Sequence, residues 1–88
     1  ADILFLRVDG FDTQIGVTTP NVLEARANRA MVKASKKVVV ACDSTKFSRC
    51  SLALIVPPSS VHTVITDTQI ADTDVEALKN AGIEVILV

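Results

Sequence analysis

The sequence lacks a disulfide framework. Its two cysteines, Cys42 and Cys50, stand eight residues apart without a C-x-x-C pattern. No signal-peptide pattern accompanies them, so a reducing, cytoplasmic setting fits better than secretion. Long apolar runs are missing as well: Val38 to Cys42 and Leu52 to Val56 each run for five residues, against roughly 20 for a bilayer span. A membrane-crossing helix is excluded. Charge of one sign is also absent, since nine Lys and Arg face ten Asp and Glu for a net charge of −1. Without a basic field, direct binding of DNA or RNA by this segment is not expected. Neither a P-loop nor a G-x-G-x-x-G fingerprint occurs, which excludes nucleotide sites of those two types. The one histidine, His62, has no acidic or cysteine neighbour at ligand spacing, so neither a metal nor a cofactor is expected.

What is present is 88 residues that are 49 % apolar and 3 % aromatic. This suits one small domain, or a piece of one, that buries roughly 60 to 65 % of its surface on folding. The run Ile3 to Val8 has the unbroken apolarity of a strand buried on both faces. Residues 9–20, rich in turn formers and polar side chains, read as a long loop. From Asn21 to about Ser35, Leu23, Ala27, Ala30, Met31 and Ala34 recur at helical spacing and predict an amphipathic helix with that face inward. Its start is either Thr19 as N-cap with Pro20 at the first helical position, or an Asn21-x-x-Glu24 capping box.

Lys37 to Cys42, Leu52 to Val56, Val61 to Thr66 and Ile83 to Val88 predict further strands, rich in β-branched and leucine side chains. A second helix precedes the last of these, with Thr73-x-x-Glu76 as its capping box and Gly82 as its stop. The alternation predicts an α/β fold with a mostly parallel sheet, right-handed crossovers and helices on both faces. Because the sequence enters and leaves in strand-like runs, a fragment of a longer protein is expected.

In open parallel sheets, ligands bind beyond the carboxyl ends of the strands. The polar residues there are Asp9-Gly10-Phe11-Asp12, Asp43-Ser44-Thr45-Lys46 and Asp67. Asp9 and Asp12 form a carboxylate pair that can hydrogen-bond sugar hydroxyls, with Gly10 allowing close backbone approach; an Asx turn explains the same residues. Thr18 and Thr19 bring hydroxyls to a helix N-terminus suited to phosphate, or simply cap it. Lys46 supplies a point charge for a phosphate, or pairs with Asp43 across a turn. Ser44 with Lys46 as nucleophile and base lacks identifiable oxyanion donors.

Taken together and in order, Val8-Asp9-Gly10-Phe11-Asp12, Gly16-Val17-Thr18-Thr19-Pro20-Asn21, Glu24 with Arg29-Ala30-Met31, Lys37-Val38-Val39-Val40, Asp43-Ser44-Thr45-Lys46-Phe47 and Val64-Ile65-Thr66-Asp67 resemble the C-terminal sensor domain of DeoR-type bacterial transcriptional repressors. The resemblance covers nearly the whole chain. It implies a sensor fold like the pentose-phosphate isomerases and CoA-transferases, with residues 1–88 forming the C-terminal part of an effector-binding domain. It also implies a phosphorylated sugar as effector, a homo-oligomer, and operator DNA bound through a winged helix-turn-helix N-terminal to these residues.

Asp9, Asp12, Asp43 and Lys46 match the isomerase pattern, with Gly10, Thr18 and Thr19 alongside and Asn28 and Arg29 behind them. Asn28 stands where the isomerases carry a catalytic glutamate, and an amide cannot exchange a proton near pH 7. The resemblance therefore implies a regulator of a carbohydrate operon that holds its ligand without turnover. An isomerase-like enzyme fragment and an oligomerisation module are the alternatives. Asn28-Arg29 also departs from the Lys-Arg pair frequent in the repressors, which bears on the identity of the effector.

Overall fold

Apolar β-branched runs separated by helix and turn signals fold here into two sheets and two helices. In the computed structural model, which describes residues 2–47 and 49–88, the strands are β1 (Ile3–Arg7), β2 (Gly10–Asp12), β3 (Gly16–Thr19), β4 (Lys37–Ala41), β5 (Ala53–Val56), β6 (Thr63–Thr66) and β7 (Glu84–Leu87). The helices are α1 (Val22–Lys33) and α2 (Asp72–Asn80), with single 3-10 turns at Ser44–Lys46 and Pro58–Ser60.

Four strands form a parallel sheet in the order β1-β4-β6-β7, and β2-β3-β5 form a smaller antiparallel sheet. Each crossover in the parallel sheet moves one strand further in the same direction. Right-handed connections of that kind all lie on one face. The core follows suit: Leu6, Val40 and Val64, aligned across neighbouring strands, share one cluster with Ala25 of α1, Leu78 of α2, and Phe11, Val17 and Ile55 of the small sheet. Val39, whose side chain points the other way, is buried but stands outside that cluster.

Both helices therefore cover a single face, not two as the alternation suggested. The outer face explains why β1 is not buried on both sides: Phe5 is 66 % exposed while Leu6 is 3 % exposed. The predicted loop over residues 9–20 is instead the hairpin β2–β3, with Phe11, Val17, Thr18 and Thr19 buried. Its polar residues are compatible with burial because the threonine hydroxyls find partners inside the fold. β5 joins β3 antiparallel and so belongs to the small sheet, outside the parallel alternation.

Helix α1 starts at the second of its two candidate caps, with the Asn21 side chain accepting the Glu24 N–H at 3.0 Å. Its orientation reverses the expectation. Ala25 and Asn28 face inward, whereas Leu23, Ala27, Ala30, Met31 and Ala34 are exposed. The stripe that packs is the narrow one built on Ala25, where a small side chain lets the helix lie close to β3 and β5. Helix α2 begins at Asp72 after Ala71 with no side-chain cap, so Thr73-x-x-Glu76 lies within its first turn and is no capping box. Gly82 does end it, at a φ of 82°.

Two glycines have left-handed backbones for different reasons. At Gly16, φ is 123° and an added Cβ would lie 2.2 Å from the Val56 carbonyl oxygen; at Gly82 an added Cβ meets nothing within 4 Å. Gly82→Ala should cost about 1 kcal/mol of backbone strain alone. Gly16→Ala should cost more than that and disturb the β3–β5 pairing. Urea unfolding of both variants tests the ordering; equal losses would contradict it.

Candidate functional site

Because β1, β4 and β6 run parallel in register, the residues after them converge on one edge of the sheet. Asp9 follows β1, Asp43 follows β4 and Asp67 follows β6. The 3-10 turn Ser44–Lys46 sits in the middle of this row and is held from both sides. Asp43 caps it by accepting the Thr45 N–H at 3.0 Å and the Thr45 hydroxyl. Asp67 accepts the Ser44 N–H at 2.9 Å with one oxygen and the Gln69 N–H at 2.8 Å with the other.

These bonds stabilise the ionised carboxylates. The Thr45 hydroxyl holds the Asp43 carboxyl below the usual aspartate range, and the Ser44 and Gln69 N–H groups do the same for Asp67. Cys42, one residue before the turn, moves the other way. Burial, followed by the charges of Asp43 and Asp67, pushes its thiol up to about 11 against the opposing pull of Lys46. The thiol is thus protonated and a poor nucleophile at neutral pH.

Lys46 ends the turn half-buried, with no ion pair within 4.0 Å among the described residues. Its pairing with Asp43 across the turn, one of the two options open from the sequence, is not formed. The Asp9 carboxylate accepts the Thr19 hydroxyl at 3.2 Å through Oδ2, leaving Oδ1 without a partner among the described residues. Asp12 is elsewhere. It stands at the far end of β2 from Asp9, where Oδ1 accepts the Gln14 and Ile15 N–H groups at 2.8 and 3.0 Å and shapes the β2–β3 turn. The two carboxylates do not share one turn, because β2 lies between them.

Thr18 and Gly10 serve the interior. The Thr18 hydroxyl accepts the Ser51 N–H at 2.9 Å and donates to the Gly10 carbonyl at 3.4 Å. A Cβ on Gly10 would lie 2.7 Å from the Arg49 carbonyl oxygen. Thr19 also accepts the Asn21 N–H at 3.4 Å and so links Asp9 to the start of α1. Asn28 is buried on the inner face of α1, while Arg29 points outward and lines a shallow depression with Arg26, Ala30 and Lys33. None of the strand-end residues borders that depression. His62 is exposed, yet its Nδ1 accepts the Val38 N–H at 2.9 Å, a role in the sheet that its sequence surroundings did not signal.

Sequence reasoning noted Asp67 at a strand end without giving it a partner. Its bond to Ser44, 23 residues away, depends on strand register and has no local signal. Thr66 beside it is 2 % exposed, and its hydroxyl has no hydrogen-bond partner among the described residues. Among the described residues no group of three or more His, Cys, Asp and Glu could hold a metal ion, and no helix is long and apolar enough to cross a membrane.

Residues 1–68 match the family model described as the DeoR C terminal sensor domain. The chain belongs to this family. Among curated proteins it is similar to the putative aga operon transcriptional repressor of Escherichia coli O157:H7, 44 % identical over 87 residues, which are 99 % of this chain and 32 % of that protein. It is also similar to the HTH-type transcriptional regulator GlpR of Haloferax volcanii, 34 % identical over 85 residues, 97 % of this chain and 33 % of the regulator. A third relative is the HTH-type transcriptional regulator GolR of Listeria innocua, 31 % identical over 85 residues, 97 % of this chain and 34 % of its own length. The chain thus spans about a third of the length of these relatives.

The depressed carboxyl groups of this sensor-family chain give a pH dependence with a definite sign. A folded pKa below the unfolded value of about 3.9 contributes stability that is fully present above that value. It is lost as pH falls through the lower folded value. The melting temperature should therefore fall as pH drops below about 4, and the fall should shrink in Asp67→Asn. Thermal melts across that range check this; an unchanged acid limb in the variant would contradict it.

Proposed function

We propose that this chain is the C-terminal part of the effector-sensing domain of a DeoR-type transcriptional regulator of a carbohydrate operon, and that its ligand is a phosphorylated sugar. Lys46 takes the phosphate. Asp9 and Thr19, with Asp43 beside the turn, take sugar hydroxyls. Gly10, Asp12 and Thr18 shape the β2–β3 wall of the site, and α1, which carries Asn28 on its inner face and Arg29 on its outer one, starts from it at Asn21. The observation that carries this reading is Lys46, a half-buried cation without an ion pair among the described residues, in a row of ordered carboxylates. A charge so placed is ready for an anion, and the Asp9 oxygen left unpartnered among the described residues suits a hydroxyl donor.

The reading is one of binding without turnover. Its support is the regulator names of the relatives and Asn28, an amide at the position that the family resemblance gives to a catalytic glutamate. In the full regulator, operator DNA is bound through an N-terminal winged helix-turn-helix, consistent with relatives about three times as long as this chain. The sugar acts by binding two arrangements of the sensor unequally, since a ligand shifts an equilibrium only by that difference.

A thermal-shift screen against sugar phosphates and their unphosphorylated parents tests the reading. One phosphorylated sugar should raise the melting temperature, by a stabilisation of about 2.7 kcal/mol at a hundred times its dissociation constant. Its parent should not, and Lys46→Ala should abolish the shift while the protein stays folded. Equal shifts in Lys46→Ala and the parent chain would overturn the role given to Lys46.

A further inference from the structure

One hydroxyl at the carboxyl edge of the parallel sheet is at odds with the rest of the interior. Thr18 and Thr19 each bond within the chain, and the Thr63 hydroxyl donates to Glu84 Oε1 at 3.3 Å. Thr66 is as buried as these, yet its hydroxyl meets no partner among the described residues. Buried polar groups are nearly always hydrogen-bonded, and one left without a partner destabilises the arrangement that leaves it so. Valine has nearly the same branched shape and carries no such penalty.

The surroundings of this hydroxyl point to the source of a partner. Alternation along β6 turns Thr66 to the same face as Val64, the one that packs on the helices. Extending the β4–β6 register by one residue sets it level with Cys42, which packs against the core on that face. The segments that leave these two strands bend over the same face, since Phe47 and Ile70 both join the core. The 2.9 Å bond from the Ser44 N–H to Asp67 ties one segment to the other. Thr66 thus sits at the root of both segments, on their inner side.

While the two segments stay joined, the buried hydroxyl is closed to any group from outside. Parting them opens it at the edge that carries Lys46 and Asp9. We propose that Thr66 is a further effector contact, its hydroxyl donating to an oxygen of the bound sugar phosphate once the Ser44–Asp67 bond has parted. This contact rests on the sugar-phosphate reading and adds to it the two arrangements that such a sensor requires. In the closed one the ligand is absent and the hydroxyl unpaired; in the open one the ligand is bound and the hydroxyl paired. Because the hydrogen bond exists in one arrangement only, it shifts the balance toward the open one.

Calorimetric titration of the unchanged chain, Thr66→Val and Thr66→Ser with a set of pentose and hexose monophosphates tests it, together with thermal melts of the unliganded proteins. Without ligand, Thr66→Val should melt about 4 to 8 °C higher, having lost the unpaired hydroxyl and kept the shape. It should bind the sugar monophosphate that the unchanged chain selects about tenfold more weakly. Thr66→Ser keeps the hydroxyl and should keep the affinity. Equal affinity in Thr66→Val and the unchanged chain overturns the contact and leaves the sugar-phosphate reading standing. So does a Thr66→Val that melts lower without ligand, which marks the hydroxyl as paired and structural. Binding of no sugar monophosphate by the unchanged chain overturns that reading and the contact with it.

Discussion

Right-handed crossovers that step one way along a parallel sheet impose two conditions at once. All the connections gather on one face, and all the strand ends with their polar residues gather on one edge. The rest of the molecule depends on this constraint. It sets the small β2-β3-β5 sheet and both helices against Leu6, Val40 and Val64, and leaves Phe5 and Ile86 facing out. It also places Asp9, the Asp43 turn and Asp67 after neighbouring strands, although 58 residues separate the first from the last.

At that edge the hydrogen bonds divide the polar residues into those that build and those left available. Asp67 spends both oxygens on backbone N–H groups, Asp12 shapes a turn, and Thr18 ties Gly10 to Ser51. Among the described residues Asp9 retains an unpartnered oxygen, and Lys46 has no ion pair within 4.0 Å. The ordered carboxylates hold the 3-10 turn in place, so Lys46 is presented on a fixed support. Such positioning lowers the entropy lost when a flexible lysine binds an anion. The sensing role proposed above therefore rests on Lys46 and Asp9 for contact and on Asp43 and Asp67 for support.

Much of this was legible from residue types alone. The four strands of the parallel sheet follow their β-branched and leucine runs, and Asn21 and Gly82 bound the helices as capping chemistry requires. The misreadings have a common cause. Residues 9–20 look like loop because burial of threonine depends on partners as distant as Ser51, which local composition does not reveal. The inward face of α1 was misjudged because its larger apolar residues, Leu23 and Met31, point outward, while a single alanine and Asn28 make the close approach. The Asp67–Ser44 bond is likewise a product of register. Periodicity identified elements; which surfaces meet was decided by packing between them.

The most direct test of the central claim is a nuclear magnetic resonance titration of the 15N-labelled chain with sugar phosphates and their parent sugars. The account predicts that one phosphorylated sugar shifts the amide signals of Asp9, Gly10, Ser44 to Phe47 and Asp67, all at one edge of the sheet. Shifts confined to Arg26, Arg29 and Lys33 on the outer side of α1 would contradict it, as would an equal response to the unphosphorylated parent.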